Sequence, residues 1–190
     1  MSNGSIALYA VLPEKVYNII KKYNVRIVLS IILLASISLG FTTGEPTKKL
    51  PNITIADLQG KPVNIQEYAT KGKTTILSFW ATWCAPCKRE LDAISELYPT
   101  WVSEYNTQLV AITIDNARAL TQVKPLIQEK GWEFPVLVDS KQELQQALNF
   151  QAIPQTFVVD AEGNIVYQHE GYTPGDEYEL EKVIKGLAGK

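Results

Sequence analysis

The segment Phe79-Trp80-Ala81-Thr82-Trp83-Cys84-Ala85-Pro86-Cys87 sets a Cys-x-x-Cys where one hydrophobic pattern gives way to another. Before the cysteines, Thr74 to Trp80 (TTILSFW) is a β-branched and aromatic run of the kind that forms a buried strand. After them, Leu91, Ile94, Leu97, Tyr98, Trp101, Val102 and Tyr105 recur at helical spacing. That spacing predicts a helix from Pro86 to Tyr105, kinked at Pro99. The cysteines therefore fall at a strand-to-helix junction. A thiolate at a helix N-terminus faces unpaired N–H groups and the positive end of the helix dipole, which lowers its pKa and favours the nucleophile. Cys84 is the expected attacking thiol, and Cys87, one turn further in, the expected resolving thiol. Pro86 lacks an N–H that would have no helical partner there, and its fixed φ suits the first turn. Trp83 has two readings, as a ring flanking the sulfur and limiting solvent or as an ordinary surface aromatic.

Other uses of the pair are weaker. A structural zinc site needs two more Cys or His ligands, and His169 is the one histidine in the chain. Two cysteines three positions apart close no long loop, so a stapling role gains little. No metal and no bound cofactor is expected. His169, in Tyr167-Gln168-His169-Glu170, lies far in sequence from the cysteines and reads as a surface residue without chemistry.

Ile53 to Ala56 and Val63 to Ile65 read as short strands around Gln59-Gly60-Lys61. Gln108 to Ile114 and Phe134 to Val138 read as strands, with a helix from Arg118 to Lys130 closed by Gly131 between them. Ser140 to Leu148 is predicted as a short helix with Ser140 as N-cap. Thr156 to Val159 and Ile165 to His169 form a predicted hairpin across Asp160 to Asn164, and Asp176 to Leu187 a final helix. Strands alternating with helices, then a hairpin and a helix, predict an α/β fold with a mixed sheet flanked by helices on both faces.

Of the 190 residues, Val25 to Phe41 (VRIVLSIILLASISLGF) carries Arg26 as its one charge and follows Lys15, Lys21 and Lys22. This is a membrane-directed stretch, at the short end of bilayer-spanning length and longer than a usual signal core. The tilt is toward an uncleaved anchor, with cleavage near Ser36, Ser38 or Gly40 as the alternative. The positive-inside rule keeps the basic flank cytoplasmic and places the remainder on the outer, periplasmic side. The expected organisation is 1–24 cytoplasmic segment, 25–41 anchor or signal, 42–51 linker and 52–190 folded domain. Residues 45–190 hold 14 basic and 19 acidic residues, a net of −5, with no basic run. Nucleic-acid binding has no electrostatic footprint in such a domain.

FWATWCAPC, together with Ala152-Ile153-Pro154-Gln155-Thr156-Phe157 further along, resembles the thioredoxin superfamily. The anchor, the extra N-terminal strands and Phe134-Pro135-Val136-Leu137-Val138-Asp139 resemble its TlpA/ResA branch of membrane-tethered thiol-disulfide oxidoreductases. The resemblance implies a thioredoxin fold with an N-terminal strand extension. It also implies a cis peptide bond before Pro154, facing the cysteines, that leaves the Ile153 backbone free to pair with an extended substrate. From the residues alone Pro154 could equally stand in a trans turn. The implied function is reduction of disulfides in exported proteins, such as apocytochrome c, with re-reduction by a membrane donor of the DsbD or CcdA kind. A general oxidant or repair enzyme, a peroxiredoxin, and a non-catalytic thioredoxin-fold binding module are the competing readings.

The chain also departs from that pattern. Thioredoxins carry a buried Asp where Ser78 stands and a Lys where Ala111 stands, and ResA-like proteins with Glu inside the Cys-x-x-Cys differ from Ala85 here. The group that takes the Cys87 proton is therefore open among Ser78, an ordered water and a more distant carboxylate. Glu90 and Glu133 are candidates, each more commonly a solvated surface charge.

Overall fold

The computed structural model describes residues 48–69 and 72–188. The expected segment 1–24, the stretch 25–41 and most of the linker lie outside the described residues. In chain order the elements are β1 (Thr54–Asp57), β2 (Pro62–Asn64), α1 (Gln66–Ala69), β3 (Thr74–Trp80), α2 (Ala85–Tyr105), β4 (Thr107–Thr113), α3 (Leu120–Lys130), β5 (Val136–Val138), α4 (Glu143–Leu148), β6 (Gln155–Val159), β7 (Ile165–Glu170) and α5 (Asp176–Ala188). No helix among the described residues is long and apolar enough to cross a membrane.

All seven residues of β3 are buried, as its unbroken β-branched and aromatic run requires. It pairs in parallel with β4 and antiparallel with β6, in the interior of a sheet ordered β2-β1-β5-β4-β3-β6-β7. The β1–β2 hairpin adds to the β5 edge as the N-terminal extension. Edge strand β7 alternates half-buried with exposed residues, as an edge covered on one face should. The fold is the expected thioredoxin-like α/β architecture with a mixed sheet.

Both faces of β3 are packed. Phe79 meets Phe150 and Phe157 edge-on at ring separations of 4.7 and 6.0 Å. One residue on, and so on the other face, Trp80 meets Trp132 at 5.2 Å. On that second face lies α2, which buries Cys87, Glu90, Leu91, Ile94 and Trp101 and continues through Pro99. It ends at Asn106, whose left-handed φ of 48° lets its N–H reach the Trp101 carbonyl.

Several boundaries differ from the sequence expectation. Ser140 is not the N-cap of α4: the helix starts at Glu143, and the carboxylate of Asp139 accepts the Gln145 N–H at 2.9 Å instead. The helix expected from Arg118 starts at Leu120, because Asn116 Oδ1 draws the N–H groups of Arg118 and Ala119 into a turn. The strand expected from Phe134 begins at Val136, since Pro135 offers only its carbonyl, which accepts the Ala111 N–H at 2.9 Å. Within the span read as linker, the Lys48 carbonyl accepts the Ile165 N–H, the Leu50 N–H donates to Gly163, and Leu50 is buried.

Phe157→Ala, which empties a fully buried ring position, should cost about 3–5 kcal/mol in urea denaturation. Val166→Thr on the exposed face of β7 should stay within about 0.5 kcal/mol.

Candidate active site

The strand β3 ends at Trp80, and the chain turns through Ala81-Thr82-Trp83 into α2. Three hydrogen bonds clamp this loop at Thr82. Its N–H and hydroxyl both donate to the buried Asp115 carboxylate at 2.9 Å, and its carbonyl accepts from Lys88 Nζ at 2.9 Å. Asp115 itself is held by the Thr113 hydroxyl at 2.7 Å, at the end of the neighbouring parallel strand. The sequence carries no local signal for this clamp, because Asp115 and Thr82 meet only once β3 and β4 pair.

Cys84 is the N-cap of α2, and its Sγ accepts the Cys87 N–H at 3.3 Å. Cys84 and Cys87 are joined as a disulfide. Cys87 is completely buried and Cys84 is 4% exposed, so of the pair Cys84 is the residue nearer solvent. Pro86 sits in the first helical turn and leaves no donor unpaired. Trp83 is 68% exposed beside Cys84, a large apolar surface next to the opening. The Ile153–Pro154 peptide is cis and brings the Ile153 carbonyl to 3.9 Å from Cys84 Sγ. Ile153 precedes β6, whose pairing on both sides begins at Gln155, so it stands outside the ladder. All six residues singled out by the sequence thus lie together at the N-terminus of α2.

Of the two carboxylates proposed for the proton, Glu133 is exposed, whereas Glu90 is buried. Glu90 lies three residues after Cys87 on the same face of α2. Its two oxygens accept hydrogen bonds from Ser78 at 3.0 Å and from Thr156 at 2.7 Å. Burial pushes its pKa up to about 7, against the opposing pull of those hydroxyls and of His169. The expectation of a solvated surface charge fails for Glu90 because β3 and β6 present hydroxyls beneath it. The missed signal is that Glu90 falls within the Cys87, Leu91, Ile94 stripe at helical spacing.

The arrangement can cycle between a disulfide and a dithiol, with one sulfur near solvent, one enclosed, and a carboxyl able to hold a proton near neutral pH. The AhpC/TSA family profile matches residues 46–168. A thiol-disulfide oxidoreductase ResA from Bacillus anthracis is 30% identical over 169 residues, covering 84% of this chain and 95% of that protein. ResA from Bacillus cereus strain ATCC 10987 is 28% identical over 177 residues, covering 88% and 98%. Among solved structures, an uncharacterized thioredoxin-like protein from Porphyromonas gingivalis has 42% identity and a TM-score of 0.66, covering 75% of this chain and 94% of that one.

Glu90 also ties the site to stability. Below its unfolded pKa of 4.5 both states hold the proton, whereas between 4.5 and about 7 only the native state does. Native stability should therefore fall as pH rises through that window, by roughly 3 kcal/mol in all. Glu90→Gln keeps the shape without the ionisation, and its denaturation midpoint between pH 5 and 8 should lack this fall.

Proposed function

Because the chain belongs to the AhpC/TSA family and is a thiol-disulfide oxidoreductase of the ResA type, we propose that it reduces disulfides of exported proteins through Cys84 and Cys87. The observation that carries the reading is the asymmetry of the pair, with Cys84 at the mouth beside the cis Ile153–Pro154 peptide and Cys87 enclosed above Glu90.

In the proposed cycle the Cys84 thiolate attacks a substrate disulfide, forming the Cys84–substrate S–S bond and releasing the other substrate sulfur as a thiolate. Glu90 takes the proton from Cys87. The Cys87 thiolate then attacks Cys84 Sγ, forming the Cys84–Cys87 bond and releasing the second substrate thiolate. Two electrons pass to the substrate, and its two thiolates take up two protons. No bound cofactor is needed. Ile153, outside the ladder, offers its backbone to an extended substrate, and Trp83 offers a flat apolar contact beside it.

Apocytochrome c is the substrate this reading favours. The stretch 25–41 supports a membrane-tethered site on the periplasmic side, the domain following the linker, with a DsbD- or CcdA-type membrane protein as electron source. The reductase direction is what the TlpA/ResA resemblance and the Pro86 inside the Cys-x-x-Cys imply.

Cys87→Ala should accumulate mixed disulfides through Cys84 that dithiothreitol releases, and Cys84→Ala should accumulate none. The reduction potential of the Cys84/Cys87 pair should lie at about −270 to −230 mV, and a value near about −120 mV would make the protein a disulfide donor.

A further inference from the structure

Each cycle takes a proton from Cys87 when the pair oxidises and returns one when it is re-reduced, and the Glu90 carboxyl that would handle both is enclosed by α2, β3 and β6, so protons need a path between it and solvent. The sheet register shows where the enclosure is thin. Ser78 on β3 is opposite Thr156 on β6, and Thr156 is opposite His169 on edge strand β7. Directly opposed residues share a face, so Ser78, Thr156 and His169 form one polar row running from the centre of the sheet to its edge. The flanking positions of that face, Ile76 and Val158, are apolar and buried.

Along this row, between α2, β7 and α5, runs a crevice of about 10 Å³, lined by Glu90, Tyr167, His169, Tyr172, Asp176 and Glu177 among others. That is room for about one water molecule. The His169 ring is held in place: Nε2 lies 3.2 Å from Asp176 Oδ2, and the ring stacks on Tyr167 with an interplanar angle of 13°. Asp176 is in turn fixed by the Thr173 N–H at 2.7 Å. With Nε2–H directed to Asp176, Nδ1 carries the lone pair, and the His169 side chain is 36% exposed. The groups facing Glu90 are Ser78 from β3, Thr156 from β6, Tyr167 and His169 from β7, Tyr172 from the following loop, and Asp176 and Glu177 from α5.

We propose that His169, oriented by Asp176, is the outward station of a proton path from Glu90, receiving the proton taken from Cys87 and passing it to bulk water. The inference rests on Glu90 being the base for Cys87. In sequence, the Cys87 proton moves to Glu90, Glu90 returns to carboxylate as the proton crosses the crevice to the imidazole, and the imidazolium releases it to solvent. His169 touches no reacting sulfur and is a positioning residue for proton exit.

Repeated turnover of the full-length protein on a disulfide peptide, with dithiothreitol as electron source, in detergent and weakly buffered between pH 5 and 9, separates these roles. His169→Ala should slow turnover on the order of a hundredfold, the low end of acid–base effects, and remove one ionisation from the pH profile. Added imidazole should restore the rate in His169→Ala and leave the wild type unchanged. An unaltered profile in His169→Ala, or a rate restored by His169→Gln and not by imidazole, overturns the proposal. Glu90→Gln tests the underlying reading separately: wild-type rates and profile in that variant remove Glu90 as the base, whatever His169 does.

Discussion

The strand β3 is hydrogen-bonded on both edges and packed on both faces, so its end at Trp80 has one position available. The chain leaves it through a loop whose N–H, hydroxyl and carbonyl at Thr82 are all bound by Asp115 and Lys88. A reactive sulfur on a loop would ordinarily sample many positions, and here the freedom is removed two residues before Cys84. The redox pair is thus mounted on an extension of a strand paired on both edges. The same constraint fixes its opposing surface, since Ile153–Pro154 leads into β6, the other neighbour of β3.

Rigid placement brings an electrostatic cost with it. Putting Cys87 on the buried face of α2 places the residue one turn later in the same low-dielectric layer, and there the chain carries an acid. Two hydroxyls, Ser78 and Thr156, make that acid tolerable without making it strongly acidic, which leaves it balanced near neutrality. A cationic partner would have driven the group to permanent ionisation, and an apolar pocket would have kept it permanently protonated. The fold thus holds a proton acceptor beside the buried thiol without the Asp and Lys that the thioredoxin pattern places at Ser78 and Ala111.

Most of the framework was legible because it rests on local pattern. The buried run Thr74–Trp80, the helical recurrence after Pro86 and the Gly163–Asn164 turn each specify an element without reference to distant residues. The misreadings share a cause. Lys88-Arg89-Glu90 looks like a solvated helix face until β6 is laid beneath it, and Asp139 displaces Ser140 as a cap only when the chain after β5 is folded back. The place of His169 also depends on register: on an edge strand opposite Thr156 it ends a polar row, and no sequence spacing reveals that. Helix α1, a single turn at Gln66–Ala69, is too short for periodicity to mark.

Lys48 to Leu50 pair with Gly163 to Ile165, and Lys49 Nζ reaches the Glu162 carbonyl across 113 residues of sequence. These contacts join the first described residues of the body to its last hairpin, so they form only after nearly all of the domain has emerged from whatever machinery delivers it. Contacts of such long separation are slow to close and leave earlier segments exposed in the meantime. A chain paused during synthesis or translocation before Gly163 would therefore carry a loose start with Leu50 uncovered, a state that quality-control proteases can distinguish from the finished domain.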